Sequence, residues 1–306
     1  MLGIDPDPAK LWEEGIGDLA ESRARLVTAL ADVERSAALD LGQGGRTGRL
    51  EAGAAVLAHC LALIDAAGSA CVAVKPQLAC FERLGFAGWL ALEATIAHAR
   101  AHGLLVIADA KRGDIPGSAR AYAQAVFGGI DTTYGPSPGL GADAVTLNPL
   151  LGRDALAPFV DAARAAGAGV FVLVRTSNPG AADLLDAELA AGGPLWEQLA
   201  GLVAGAGTPG PASGLAEVGA VTGATVPKHL ARMRELMPNA PFLLPGIGAQ
   251  GGSVTDLAPA FAPGRAGGLV SASRSIADAH EAAGGPPADA ARAEAERLRE
   301  AAWALG

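Results

Sequence analysis

Aromatic residues make up only 4% of this 306-residue chain, so its core must be built from aliphatic side chains and alanine. Cysteine is scarce as well. The three present, Cys60, Cys71 and Cys80, are an odd number without metal-like spacing, which fits reduced, buried thiols of a cytosolic protein. Basic residues are in deficit, 23 against 32 acidic ones, and the net charge of −9 argues against a nucleic-acid or anionic-membrane partner. No run approaches 18 apolar residues without a charge or a break, so no membrane span is expected. Met1 to Lys10 shows no basic segment followed by an apolar one, so no signal peptide is expected either. These absences predict a cytoplasmic protein.

What is there is an alternation. Eight short β-type runs are predicted at 2–5, 71–75, 104–109, 144–147, 169–174, 217–221, 242–244 and 267–271. Helical segments separate them, at 11–38, 48–66, 86–102, 118–126, 154–166, 194–204, 227–237, 254–261 and 288–302. Strands alternating with helices imply parallel pairing through crossover connections. Eight such units in a chain of this length match an α/β fold of the (β/α)8 TIM barrel type, with a doubly wound sheet as the structural alternative. No Pro/Gly linker divides two compositions, so a single domain over residues 1–306 is expected. Two Gly/Pro-rich stretches, 128–141 and 201–214, precede the fourth and sixth strands and read as surface loops.

In a barrel, catalytic groups come from the C-terminal ends of several strands. Those ends carry Asp5, Lys75, Asp109 with Lys111, Asn148, Thr176-Ser177-Asn178, Thr222, the 246–252 loop and Arg274, whereas the helices spread their charges diffusely. The densest cluster is Asp109-x-Lys111-x-x-Asp114. Residues two apart on a strand share a face, so Asp109 and Lys111 should point the same way. A carboxylate beside an ammonium contributes little as a surface ion pair and is better suited to a charged reaction centre.

The Pro245-Gly246-Ile247-Gly248-Ala249-Gln250-Gly251-Gly252 loop follows the seventh strand and is predicted to open a helix, where glycine amides and the helix N-terminus attract an anion. Ser273-Arg274-Ser275 follows the eighth strand. Barrels frequently hold phosphate between these two loops. Gly246–Gly251 also fits the dinucleotide fingerprint, but no Rossmann sheet has room to follow it, and Arg274 stands at the end of the next strand where an acid would be needed. His98 and His102 lie at i, i+4 on a predicted helix with no acid to complete a metal site, so no metal is expected.

Taken together, Asp-Ala-Lys-Arg-Gly-Asp-Ile (109–115), Val74-Lys75-Pro76-Gln77, Thr176-Ser177-Asn178-Pro179-Gly180, the glycine loop and Ser273-Arg274-Ser275 resemble the longer bacterial branch of the orotidine 5′-phosphate decarboxylase family. The resemblance runs from Asp5 to about Ile276 and implies a cofactor-free decarboxylase that turns orotidine 5′-monophosphate into UMP. It makes Lys111 the proton donor to C6, places Asp109 beside the substrate carboxylate, and gives Lys75 the task of holding Asp109 and a ribose hydroxyl. Asp5 would bind the ribose, and Ser177 would read the pyrimidine ring. Gln250 would bridge base and phosphate, with Pro245, Gly248, Ser273 and Arg274 around the phosphate. A homodimer is also implied, with Asp114, Ile115 and Ser118 reaching into the partner's site. The family usually has a longer apolar run before its first Asp-Pro, and here the first strand is reduced to Leu2-Gly3-Ile4. The Asp-x-Lys-x-x-Asp core is shared with metal-dependent sugar-phosphate aldolases and decarboxylases, which remain the alternative beside a catalytically impaired nucleotide-binding barrel.

Overall fold

Every predicted strand is present in the computed structural model, which describes residues 1–12, 19–37, 43–225, 227–248 and 251–306. In chain order the elements begin β1 (Leu2–Ile4), α1 (Leu19–Ala37), α2 (Gln43–Ala67), β2 (Ala73–Pro76), α3 (Leu78–Glu82), α4 (Phe86–Ala101), β3 (Leu105–Arg112) and α5 (Pro116–Val126). They continue with β4 (Ile130–Thr132), β5 (Gly135–Ser137), β6 (Ala144–Leu147), α6 (Arg153–Ala166), β7 (Gly169–Arg175), α7 (Ala181–Leu184), α8 (Leu195–Ala206) and β8 (Val218–Thr222). The last are α9 (Leu230–Leu236), β9 (Phe242–Leu244), β10 (Gly268–Val270), α10 (Arg274–Ala277), α11 (Ala279–Ala283) and α12 (Pro287–Trp303).

The chain separates into two compact units. One comprises residues 2–106 and 276–296. Its strands run β1-β2-β3, all parallel, with Gly3 opposite Lys75 and Val74 opposite Val106. The short first strand is completely buried. Its core is aliphatic, as the composition requires, around Leu57, Leu63, Ile64 and Leu92, with Phe81 and Trp12 as buried large rings. Gly53 sets the α2–α4 distance, since a Cβ there would stand 2.9 Å from that of Ala87. Trp12 pins the N-terminal segment: its amide donates to His59 Nδ1 at 3.3 Å and its indole donates to the Ala277 carbonyl at 2.9 Å.

The stretch Gly48–Ala70 is 23 residues long with mean hydropathy 1.6, long and apolar enough to cross a membrane by those measures. Its best window is 72% buried within the protein, because α2 packs on α1 and α4, so the helix is apolar as a core element.

The other unit comprises Met1, 107–275 and 297–306, with strand order β3-β6-β7-β8-β9-β10, again all parallel. β6 and β8 are buried at every position, the continuous apolar pattern of a parallel strand covered on both faces. Helix α6 ends on Gly167 at φ 66°, where glycine takes the left-handed turn without a Cβ penalty. Three sequence expectations change. Residues 128–141 contain an antiparallel hairpin, β4 with β5, instead of an irregular loop. Helix α8, predicted over 194–204, runs on to Ala206, so the start of the 201–214 stretch is helical and not loop, because Leu-Val-Ala outweighs the two glycines. Val254–Phe261 forms a 3₁₀ helix, with Pro259 denying it the donor of a regular α-helix.

Arg234 is the unit's main polar staple. Buried in α9, its guanidinium donates to the carbonyls of Met237, Ala240, Ala260 and Gly267 at 2.6–3.1 Å and lies 3.8 Å over the Phe242 ring. Burial lowers its pKa to about 10, still charged at neutral pH. Arg234→Met, which strands these carbonyls, is expected to lower unfolding free energy by about 3 kcal/mol or more in denaturant melts, and Arg234→Lys will not restore it because a point ammonium cannot span them. Burial also lowers the His59 pKa to about 4, so the folded ring stays neutral while the unfolded ring protonates. Stability is therefore expected to be full above pH 6.5 and to fall by about 3 kcal/mol as pH drops towards 4, a slope that His59→Leu should flatten.

Candidate active site

The sequence places Asp109 at the end of β3, but the strand runs on to Arg112 through a register shift against β6 between Ala108 and Arg112. Lys111 sits in that irregularity with φ 47°, the only positive φ outside glycine among the described residues. Such a conformation is unfavourable for a lysine and persists only when its surroundings enforce it. Here they do. The Lys111 amide donates to Thr146 Oγ1 at 2.9 Å, and its ammonium donates to Asp109 Oδ1 at 2.5 Å. Thr146 Oγ1 in turn donates to the same Asp109 oxygen at 2.9 Å. The carboxylate side chain is 7% exposed and the lysine 44%, so a fixed buried anion holds a cation at the solvent boundary. Gly113 is obligatory beside it: a Cβ would stand 2.7 Å from the Asn148 carbonyl oxygen.

Thr146 was not among the expected site residues. Its signal was available, as the one polar side chain inside the buried β6 run Ala144-Val145-Thr146-Leu147.

Asp114 turns back on the chain, its Oδ1 accepting the Ile115 amide at 2.7 Å just before Pro116 opens α5. Ile115 is 64% exposed, and Ser118 and Tyr122 are exposed at helical spacing from it. Leu150 and Leu151 are exposed too, in the turn that Asn148 ties to the Arg112 carbonyl at 2.8 Å. Ile115, Tyr122, Leu150 and Leu151 are thus large apolar side chains left exposed in the segments flanking Asp114 and Asn148.

At the end of β7 the structure adds a residue that sequence reasoning passed over. Arg175 is buried, and its guanidinium grips Asp186 with two bonds of 2.9 Å while donating to the Thr176 carbonyl at 2.8 Å. The Arg175 bonds hold the Asp186 carboxyl below its usual range against a smaller effect of burial. This fork holds the Thr176-Ser177-Asn178 turn. The Ser177 carbonyl accepts from Thr225 Oγ1 at 3.0 Å, and Gly223 packs so tightly that a Cβ would meet the Ser177 backbone at 2.7 Å. An arginine closing an apolar run just before Thr-Ser-Asn was visible in the sequence.

The two expected anion loops meet: a Cβ on Gly248 would stand 2.8 Å from Ser275 Cβ. Ser273 is half-buried, Arg274 is exposed at the first position of α10, and the Ser275 hydroxyl is buried without a hydrogen-bond partner. The glycine loop is knitted to itself. Gly252 donates to the Gly246 carbonyl at 3.0 Å, Gly251 to Gly248 at 2.8 Å and Gly248 to Gly252 at 3.3 Å, while the Pro245 carbonyl accepts from Ala224 at 2.9 Å. It opens a 3₁₀ segment and not an α-helix, so the expected dipole is weaker than an α-helix would give. Gln250 lies outside the described residues.

In the unit formed by residues 2–106 and 276–296, Lys75 is buried on β2 opposite Gly3, and Asp5 is exposed immediately after β1. Both charges act on Cys80, whose thiol is pushed up mainly by burial and then by Asp5, with Arg83 and Lys75 opposing. Burial raises Cys60 to about 12, leaving it an inert core thiol, and none of the three cysteines is in a disulfide. His98 and His102, expected to lack an acid, have one: Asp65 of α2 lies against both rings.

The family model described as Orotidine 5'-phosphate decarboxylase / HUMPS family matches residues 36–285. An orotidine 5'-phosphate decarboxylase of Rhodopirellula baltica is 44% identical over 229 residues, 74% of each chain. One from Deinococcus radiodurans is 43% identical over 270 residues, covering 88% of this chain and 92% of that one. Among solved structures, Leishmania donovani OMP decarboxylase superposes with a TM-score of 0.63 at 34% identity over 82% of this chain and 89% of that one. Eight parallel strands alternating with helices agree with these matches, and the fold class is α/β of the (β/α)8 TIM barrel type. The chain belongs to the orotidine 5'-phosphate decarboxylase family.

Proposed function

We propose that this chain decarboxylates orotidine 5′-monophosphate to UMP in pyrimidine biosynthesis. The observation that carries the reading is Lys111, held at φ 47° with its ammonium 2.5 Å from the buried Asp109 carboxylate. Loss of CO2 breaks the C6–carboxylate bond and leaves the electron pair on C6, a carbon with no adjacent carbonyl to accept it. A fixed ammonium stabilises that developing charge because its orientation is set before reaction, and it then delivers its proton to C6. The lysine is afterwards reprotonated from solvent. Asp109 anchors the ammonium and opposes the substrate carboxylate, and neither a metal nor an organic cofactor has a step to perform in this scheme.

By the family resemblance, Lys75 and Asp5 are assigned to the ribose, Ser177 to the pyrimidine, and Pro245, Gly248, Gln250, Ser273 and Arg274 to the phosphate. The meeting of Gly248 with Ser275 supports the phosphate assignment. The functional form is a cytoplasmic homodimer in which residues 1–306 act as one barrel and Asp114, Ile115 and Ser118 serve the partner's site. The exposed Ile115, Tyr122, Leu150 and Leu151 beside Asp114 support that arrangement.

Turnover followed by loss of substrate absorbance with EDTA present tests the scheme. It is expected to persist in the parent and to fall at least ~10³-fold in kcat for Lys111→Ala, the combined scale of a lost general acid and a lost preorganised charge. Absence of turnover in folded parent protein, or full activity in the variant, would overturn it. Asp186→Asn should raise KM for orotidine 5′-monophosphate roughly 10-fold with kcat nearly unchanged, since it loosens the Ser177 turn without touching the ammonium. A kcat loss with KM unchanged would show that the Arg175 fork acts on the chemistry instead.

A further inference from the structure

We propose that Asp65, His98 and His102 form a binding site for a borderline divalent transition-metal ion of the zinc class, separate from the active-site residues assigned above. Their ligand atoms all lie within 4.8 Å of one another. His98 Nε2 is 2.6 Å and His102 Nε2 is 3.2 Å from the same Asp65 Oδ1. A tetrahedral ion with bonds of about 2.0–2.1 Å needs its ligand atoms roughly 3.3 Å apart, so the His102 spacing is already suitable and the His98 spacing must open slightly.

The tautomer points the same way. His102 Nδ1 lies 2.9 Å from the His98 carbonyl oxygen, which only accepts, so that nitrogen carries the proton. In the neutral ring Nε2 then presents a lone pair towards a carboxylate oxygen, and two acceptors face each other at 3.2 Å. An ion bound between them would remove that conflict. An imidazole whose far nitrogen is fixed on a carbonyl is the usual arrangement for a histidine that binds metal. His102 also caps the C-terminus of α4, where the carbonyl ends favour positive charge.

Two imidazoles and one carboxylate suit zinc, nickel or copper and not magnesium or calcium, which prefer oxygen. The side chains are 24–56% exposed, so an ion can enter and keep water at its open position. Because Asp65 belongs to α2 and the histidines to α4, the ion would clamp the two helices. A ligand that binds only the folded state raises its stability by mass action.

The test uses the full chain stripped with EDTA and freed of chelator, titrated with zinc chloride by calorimetry and against a chromophoric chelator. One equivalent should bind, with a rise in the thermal midpoint. His102→Ala should weaken binding by at least ~100-fold, the loss of a direct ligand exceeding the 10–100-fold of an outer-shell one. Asp65→Asn should weaken it as well. Circular dichroism and turnover of orotidine 5′-monophosphate, which rests on other residues, would show that the variants are folded. Cobalt(II) should give a visible spectrum without a thiolate charge-transfer band, and magnesium in large excess should not displace zinc. No zinc binding would mean that a proton fills the gap and would overturn the proposal. Unchanged affinity in His102→Ala, or a thiolate band, would place the metal on the cysteines and overturn it equally.

Discussion

The ion pair between Lys111 and Asp109 is the constraint around which the end of β3 is arranged. A carboxylate buried this deeply is costly unless donors surround it, and Lys111 and Thr146 both supply them. To bring the ammonium back onto a residue only two positions earlier, the chain leaves regular strand geometry, shifts register against β6 and accepts a positive φ. Thr146 resolves the conflict by serving two masters: it receives the Lys111 amide freed by the irregularity and donates to Asp109. Gly113 then lets the chain pass the Asn148 carbonyl at close range. The strain at one lysine is thus supported by a rigid parallel sheet whose β6 is entirely buried.

Two other arginines show how differently a buried cation can be used. Arg234 is surrounded by carbonyls and a ring, with burial alone shifting its pKa, and it ties the turn after α9 to the 3₁₀ segments before β10. It acts on architecture. Arg175 binds a carboxylate through a planar fork and gives its remaining donor to the Thr176 carbonyl. Its geometric specificity is passed directly to the turn that carries Ser177. The same side chain serves stability in one place and positioning in the other because its partners differ.

How much of this was legible follows from range. Strand identity was readable because parallel strands leave continuous apolar runs, and Asp109, Lys111 and Asp114 are adjacent in sequence. The φ of Lys111 was not readable, since strand alternation alone already predicted that it would face Asp109. Thr146 and Arg175 were visible as polar residues in apolar runs, but their importance depends on partners 37 and 11 positions away. Asp65 was invisible as a partner of His98 and His102 because the helix packing that unites them, set by Gly53 against Ala87, has no local signature. Helix type at 254–261 was misjudged because apolar periodicity outweighed the proline within it.

The glycine loop adds a last consequence. Glycines at φ 106°, 74° and 86° (Gly246, Gly248 and Gly251) let this segment adopt turns closed to other residues, yet the amides of Gly248, Gly251 and Gly252 are bonded to carbonyls of the loop itself. An amide already donating cannot bind a phosphate oxygen without exchanging its partner. On the proposed reading, phosphate capture by any of these three amides would exchange a loop hydrogen bond, and part of the phosphate's binding energy would go into that exchange instead of ground-state affinity. On that reading a dianion remote from C6 would influence the chemistry by selecting the loop conformation in which the base is held against a lysine whose position β3 and β6 have already fixed.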